Sequence, residues 1–510
     1  MVEGRLAASR LRGRVWTRVG GAAGLASVLI GALLARLLWL TADAPASLSW
    51  SGAPWTDEGL YSHVARSYAL WHAPPQDGWN NRLVSPLWDL LALAAFRTLG
   101  VSYVSLRLTS IALALTALAS FWLLLRREWG ARLATLGAAL WAFDYFWIQY
   151  SRLGLLEPGL VCWLTLAAYC WRKAFDQGAR WAVLAGVCAG VAWVWKSLAL
   201  LWLPAPLLAL LIVAAARRQR LLIGAGYLAG LGLALLAYAL LWYLPQRAAL
   251  DAAAAFYAAQ RMPHGLDAAA RHVWASLRSP FIVGQTPVLL VAGLLGAGRA
   301  LWHLRRGVLP PAVVLGLAWL GCGAPLLALP YHPPRYFVWL VPALVLLALW
   351  CTIADNHSSH HRLPRLQQCW PAALLGLSLL WSGWWYAQWA LTARATLIAA
   401  GQSVERLVPP GELILGVHAC GLSLAHTRPC APLIDGLAND RHPVETLGAR
   451  YALVEAGNPD DYLARHYPAL LRRAQLLARL EVGPRRVLLY RLDARDGHAA
   501  PGAGRTDVSP

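Results

Sequence analysis

The chain has 510 residues, of which 58% are hydrophobic and only 14% charged, with a formal charge of +20. That balance is too apolar for a soluble protein of this length and places the chain among integral membrane proteins. The basic excess does not point to a nucleic-acid partner, because the basic residues cluster between apolar runs, where they set membrane orientation.

A basic segment, residues 1–18, precedes a first apolar run at 19–40. Further runs follow at 103–125, 131–148, 157–171, 181–195, 198–215, 221–243, 281–301, 310–330, 336–353 and 370–391, for about eleven crossings in all. With a cytoplasmic N-terminus, the basic groups "GRLAASRLRGRVWTR", "RREWGAR", "WRKAFDQGAR", "ARRQR", "HLRRG" and "HRLPRLQQ" all fall on the cytoplasmic side. The first run is too long for a signal-peptide core and lacks a small-residue cleavage site, so it is expected to stay as an anchor. An odd number of crossings sends the end of the chain outward. There, turn residues ("VPPGE", "EAGNPDD", "VGPRR") separate short apolar runs ("LILGVHA", "YALVEA", "RRVLLYRL") around a helical "DDYLARHYPALLRRAQLLARL". The expected fold is thus an all-α polytopic inner (plasma) membrane protein, N-terminus in and C-terminus out. It comprises a transmembrane module 19–391 with a first external loop 41–102, a small extracytoplasmic α/β domain 392–495, and a disordered tail 496–510.

The first external loop holds "PWTDEGLYSHVAR", with adjacent carboxylates Asp57 and Glu58. Leu60, Tyr61, Val64, Tyr68 and Trp71 recur at helical spacing, which predicts an amphipathic helix on the outer membrane surface. Helix capping by Thr56 or Asp57 explains the acids without any chemistry. Glu157, in "QYSRLGLLEPGL", begins another outer helix before Pro158, and capping again suffices for it alone. Two carboxylates at the same membrane boundary, where charge is costly, favour a site. The outer loops also supply Arg152, Lys196 in "WVWKSLAL" and Arg335 in "LPYHPPRYFVWLVPAL". Singly, each cation can snorkel to the interface. Together they suit a lipid phosphate, while the carboxylates suit a hydroxyl or amine.

Six of the eight cysteines lie in or beside spans and read as core. Cys420 and Cys430 lie in the outer domain, where a disulfide and two free thiols are equally open readings. His418, His426 and Cys420 are near enough in sequence to raise zinc but match no strong template. Asp435, Asp440 and Asp460 read as turn residues. Most of the 28 tryptophans read as an interfacial belt, with Trp55 and Trp79 the candidates for sugar or lipid contact.

Arg36 in "LLARLLWL", then "PWTDEGLYSHVAR", "SRLGLLEP", Lys196 and "HPPRYFVWLVPAL" occur in an order that resembles the polytopic C-type glycosyltransferases. The nearest groups are bacterial relatives of the dolichyl-phosphate-mannose protein mannosyltransferases and the aminoarabinose transferases that modify lipid A. The resemblance implies transfer of a sugar from a polyprenyl-phosphate donor, by inverting displacement outside the cytoplasm, to a lipid, glycan or protein acceptor. Within it, Asp57 corresponds to the catalytic aspartate, Glu58 to its companion, and Glu157 to the acidic residue after the third span. Lys196 and Arg335, with Arg82 and Arg152, would hold the donor phosphate, and Trp55, Tyr61, His332 and Tyr336 would edge the substrate site. The chain departs from the aminoarabinose transferases in reading "NNRLVSPLWDLL" where they carry Lys-Pro-Pro, so that Arg82 stands in for the lysine. It has no inserted lumenal domain between spans, which argues against a protein acceptor. No cofactor is required by this reading, and a divalent metal at Asp57, Glu58 and Glu157 is left open. The competing class is a transporter or flippase of a lipid-linked sugar or small solute, but its signs, mid-membrane charges and paired broken helices, are not evident.

Overall fold

The computed structural model describes residues 21–263, 265–279, 284–305, 309–353 and 365–492. The basic N-terminus 1–18, the tail 496–510 and parts of the basic groups at 303–307 and 361–368 lie outside the described residues.

Five described helices are long and apolar enough to cross a membrane: Tyr103–Trp129, Arg217–Ala259, Pro287–Leu304, Pro311–Ala328 and Pro334–Thr352. Gly21–Leu37, Ala179–Trp195 and Ser197–Ile212 are shorter apolar helices, and the chain is a multi-pass membrane protein. Pro334–Thr352 is central, with 83% of its apolar window buried inside the chain, whereas Arg217–Ala259 has 17% buried. Leu221 and Leu241 on the latter are 63% and 78% exposed, as suits a lipid-facing helix. The run at 131–148 is two helices, Ala131–Ala142 and Tyr145–Ser151. They part at Asp144, whose carboxylate accepts the Trp147 N–H at 3.0 Å and caps the second.

The amphipathic helix expected after Thr56 is also two: Ala53–Leu60 and His63–Trp71. The break falls at Ser62, whose hydroxyl donates to the Glu58 carbonyl at 2.7 Å. The first of the two is buried along Ala53–Gly59, because the C-terminal domain covers it. A Cβ on Gly59 would stand 2.0 Å from the Cys420 carbonyl oxygen, so this close approach requires glycine. Arg66, 1% exposed, donates to the carbonyls of Ser423, His426 and Arg428 at 3.1, 2.9 and 2.9 Å, and the Tyr103 hydroxyl donates to that of Gly421 at 2.6 Å. These bonds give carbonyls of the C-terminal domain partners from the membrane module and pin the domain over the first loop.

The C-terminal domain contains β1 Ile414–Leu415, β2 Cys430–Ala431, β3 Tyr451–Glu455, β4 Gln475–Val482 and β5 Arg485–Arg491, in the order β2-β1-β3-β5-β4. β1 runs parallel to β2 and β3; β5 is antiparallel to β3 and β4. The helical reading of 460–480 holds only in Tyr462–His466 and Pro468–Arg473. "QLLARLEV" is a strand, because the Gly483–Pro484 turn brings it back onto β5, pairing Leu480 with Val487, and that partner outweighs the helix propensity of Leu, Ala and Arg.

Candidate active site

Four charged side chains from four segments converge near the C-terminal domain. Asp57 lies inside the Ala53–Leu60 helix, whose N-cap is Gly52, so it is not a cap. Its Oδ1 accepts the Thr56 hydroxyl at 3.0 Å, and its Oδ2 pairs with Arg335. Arg335 stands in the 3-10 turn Pro334–Leu340, which opens the central helix, and its Nε is 3.4 Å from Glu157 Oε1. The same Glu157 oxygen accepts from Lys196. Glu157 is the first residue of the Glu157–Gln177 helix, and Lys196, in extended backbone, ends the Ala179–Trp195 helix.

The local sequence fixes this last pair. Trp195, directly before Lys196, packs on Gly159, where a Cβ would stand 2.1 Å from the indole, and donates its N–H to the Leu156 carbonyl at 2.8 Å. The residues flanking Glu157 are thereby tied to the residue preceding Lys196. The result is a line Asp57, Arg335, Glu157, Lys196, with relative exposures of 7%, 3%, 1% and 7% and two charges of each sign. Burying four charges costs more than their attraction alone is expected to return, so stability is a weak reason for a chain to hold them. Glu157 Oε2 is buried without a hydrogen-bond partner.

Two tyrosines border the line. Lys196 Nζ lies 4.6 Å from the centre of the Tyr336 ring, and the Arg335 guanidinium lies 5.6 Å from it. Tyr61 closes the other side; burial first, and then the Asp57 charge, hold its phenol well above the usual range despite Arg335, so it stays a hydrogen-bond donor.

The other expected residues are engaged elsewhere. Glu58 turns away from Arg335 and accepts from Arg107 at 2.9 and 2.6 Å and from the Gly154 N–H at 2.6 Å. A Cβ on Gly154 would lie 2.7 Å from Leu106 Cβ, so the loop before Glu157 approaches Glu58 only through glycine. Arg82 pairs with Asp89 at 2.6 Å and covers Tyr68. Arg152 donates to the Trp39 and Ala42 carbonyls, both at 2.7 Å, and lies over Trp389. His332 Nε2 is 2.7 Å from Ser276 Oγ. Trp55 packs on the Gly483 turn of the outer domain, and the Trp79 indole donates to the Leu60 carbonyl at 3.0 Å. Of the twelve expected residues, Asp57, Glu157, Arg335, Lys196, Tyr61 and Tyr336 therefore come together, while Glu58, Arg82, Arg152, His332, Trp55 and Trp79 do not join them.

Sequence reasoning missed Arg107 and Gly154, whose signal was slight: a lone arginine early in an apolar run and a glycine three residues before Glu157. It also missed an aromatic path, in which Trp50, 45% exposed, meets Tyr331 edge-on at 5.7 Å and Tyr331 meets Tyr336 at 6.2 Å.

With this geometry established, the chain can be set beside known proteins. A family model described as dolichyl-phosphate-mannose-protein mannosyltransferase matches residues 84–243. No curated protein sequence matches the chain. Among solved structures, ArnT from Cupriavidus metallidurans in the apo state aligns with a TM-score of 0.60 at 15% identity, covering 92% of this chain and 98% of that one. The same protein bound to undecaprenyl phosphate aligns at 0.56 and 14%, covering 91% and 97%. The oligosaccharyltransferase AglB from Archaeoglobus fulgidus, in complex with an inhibitory peptide and a dolichol-phosphate, aligns at 0.55 and 12%, covering 84% and 69%. The chain shares its fold with ArnT and AglB.

Proposed function

We propose that the chain is a glycosyltransferase that takes a sugar from a polyprenyl-phosphate donor and passes it to an acceptor hydroxyl or amine on the extracytoplasmic face of the inner membrane. The observation that carries this reading is the buried line of Asp57, Arg335, Glu157 and Lys196, two cations and two carboxylates at the mouth of an apolar bundle. The likeness to structures that hold undecaprenyl phosphate and dolichol-phosphate supports the choice of donor.

A sugar phosphate already carries a good leaving group, so the main demand is charge compensation on the departing phosphate. Arg335 and Lys196 supply it. Once a donor phosphate engages Arg335, Asp57 loses its ion-pair partner and becomes the free base. The acceptor oxygen or nitrogen then attacks the anomeric carbon opposite the phosphate and loses its proton to Asp57, while the bond from carbon to phosphate oxygen breaks with its electron pair on the phosphate. One displacement inverts the anomeric centre. Glu157 pairs with Lys196 and Arg335 and keeps them aligned, and Tyr61 and Tyr336 offer a hydroxyl and a ring face to the sugar. Glu58, held by Arg107 and Gly154, sets the pitch of the helix that carries Asp57 rather than reacting. This scheme requires no cofactor. A divalent ion at Asp57 and Glu157 would have to displace Arg335 from both.

The direct test offers the purified, lipid-embedded protein a panel of radiolabelled polyprenyl-phosphate sugars together with envelope lipids and glycans. Labelled acceptor accompanied by release of polyprenyl phosphate supports the reading and names the sugar. A folded protein that consumes no donor but moves one across proteoliposomes would instead be a transporter.

A further inference from the structure

We propose that His63, Cys420 and Cys430 form a binding site for a thiophilic metal cation, Zn2+ or Cu+, that clips the outer domain to the helix following Asp57. His63 begins the His63–Trp71 helix, six residues after Asp57; Cys420 lies in the Ala419–Leu422 helix and Cys430 in β2. Their side chains meet at the seam between the first external loop and the outer domain and are 2%, 1% and 4% exposed.

The donor atoms form a compact triangle. His63 Nδ1 lies 3.3 Å from Cys420 Sγ and 3.6 Å from Cys430 Sγ, and the sulfurs are 3.3 Å apart. A zinc ion with bonds of about 2.3 Å to sulfur and 2.0–2.1 Å to nitrogen separates its donors by about 3.5–3.8 Å, so small side-chain shifts admit it. Softness agrees as well, since two thiolates and an imidazole select Zn2+ or Cu+ over Mg2+ or Ca2+.

The surroundings match those of a metal-bound histidine. The remaining ring nitrogen, Nε2, is 2.7 Å from Asp77 Oδ2, a pairing that directs Nδ1 at the sulfurs. Asp77 is itself fixed by the Trp79 N–H at 2.7 Å. Arg66 reaches Cys430 Sγ at 3.8 Å, placing a cation beside the thiolate the site requires. A disulfide would use both sulfurs without explaining why a buried histidine, oriented by a carboxylate, faces them. The histidines nearest in sequence are not part of the cluster: His418 Nε2 is 3.2 Å from Glu455, and His426 accepts the Arg428 N–H.

Binding exchanges the two thiol protons for the metal charge, so two thiolates and Zn2+ sum to zero, and Asp77 and Arg66 balance each other. The cation would cross-link residues more than 350 positions apart and hold the outer domain against the Asp57 helix. This site is separate from the Arg335 and Lys196 line, so it stands or falls independently of the transfer reaction.

The test uses the full chain in detergent, reduced, stripped with a chelator under inert gas and titrated separately with Zn2+ and Cu+ against chromophoric competitors. One equivalent per chain is expected. Cys420→Ser and Cys430→Ser should abolish binding, and Asp77→Asn should weaken it about 10- to 100-fold. Stripping should speed tryptic release of the outer domain, and adding the ion back should reverse this. Should the cysteine variants fail to fold, the wild-type titration, its chelator reversal and Asp77→Asn still decide. Absence of stoichiometric binding by reduced wild-type protein overturns the proposal, as does a Cys420–Cys430 disulfide in protein isolated without oxidant.

Discussion

Glu58 and Asp57 are adjacent in sequence, yet their surroundings assign them different work, and Glu58→Gln tests that division. Glu58 is 2% exposed and accepts three hydrogen bonds, two from Arg107, which is 1% exposed. The amide cannot neutralise Arg107, which would keep only the Leu40 and Ala42 carbonyls, both at 2.8 Å. Removing one partner of a buried ion pair costs about 3–5 kcal/mol. In a chain of this size that corresponds to a fall in melting temperature on the order of 3–5 °C. The assay is a heat challenge of purified protein followed by size-exclusion chromatography, with Asp57→Asn in parallel. Asp57→Asn should melt close to wild type, because Arg335 retains Glu157. Converting the pair together, Glu58→Gln with Arg107→Met, should recover part of the loss, since the unpaired buried cation is then gone. If Glu58→Gln melts with wild type but loses transfer as fully as Asp57→Asn, Glu58 is a reacting group and the reasoning fails.

Arg335→Ala and Lys196→Ala each remove a charge-assisted hydrogen bond worth about 1.5–3 kcal/mol, so each should lower kcat/KM for donor about 10- to 100-fold, read from initial rates at varied donor. An unchanged kcat/KM would remove that residue from the phosphate site. Gly59→Ala forces a methyl against the Cys420 carbonyl, at a cost of about 1–3 kcal/mol, and should accelerate tryptic release of the outer domain; wild-type cleavage rates would show that the helix and domain separate freely. Burial opposes the charge of Glu455, but hydrogen bonds from His418 and Arg485 outweigh it and hold its carboxyl down at about 2. With the folded value below the unfolded one, its contribution is present above about pH 4.5 and lost as pH falls toward 2. The melting-temperature gap between wild type and Glu455→Gln should close over that interval, and a gap that widens on acidification contradicts the assignment.

How much could be read in the sequence depended on the range of the interaction. The long apolar runs and their basic flanks are local, continuous signals, and Tyr103–Trp129 and Pro334–Thr352 were legible from them. Asp57, Glu157, Lys196 and Arg335 stood out because charge at a membrane boundary is conspicuous wherever it occurs. Their order along the line was not legible, since Arg335 reaches Asp57 across 278 positions. Glu58 looked like a twin of Asp57 until Arg107 appeared beside it. Arg82 and Arg152 show the same limit, because a cation in a loop looks alike in sequence whether it faces substrate or satisfies Asp89 or backbone carbonyls. "QLLARLEV" has helical composition and only its distant partner β5 makes it a strand. The amphipathic stretch after Thr56 was expected to lie on the membrane; the outer domain covers its first half, which periodicity cannot distinguish from a lipid surface.

The central claim is that Asp57 accepts the acceptor's proton during sugar transfer. It is tested most directly by single-turnover transfer from a polyprenyl-phosphate sugar with wild type and Asp57→Asn at equal, verified fold and donor occupancy. The account predicts a fall of about two to four orders of magnitude in the rate of the chemical step with donor binding retained. A variant that transfers at a near-normal rate would contradict it.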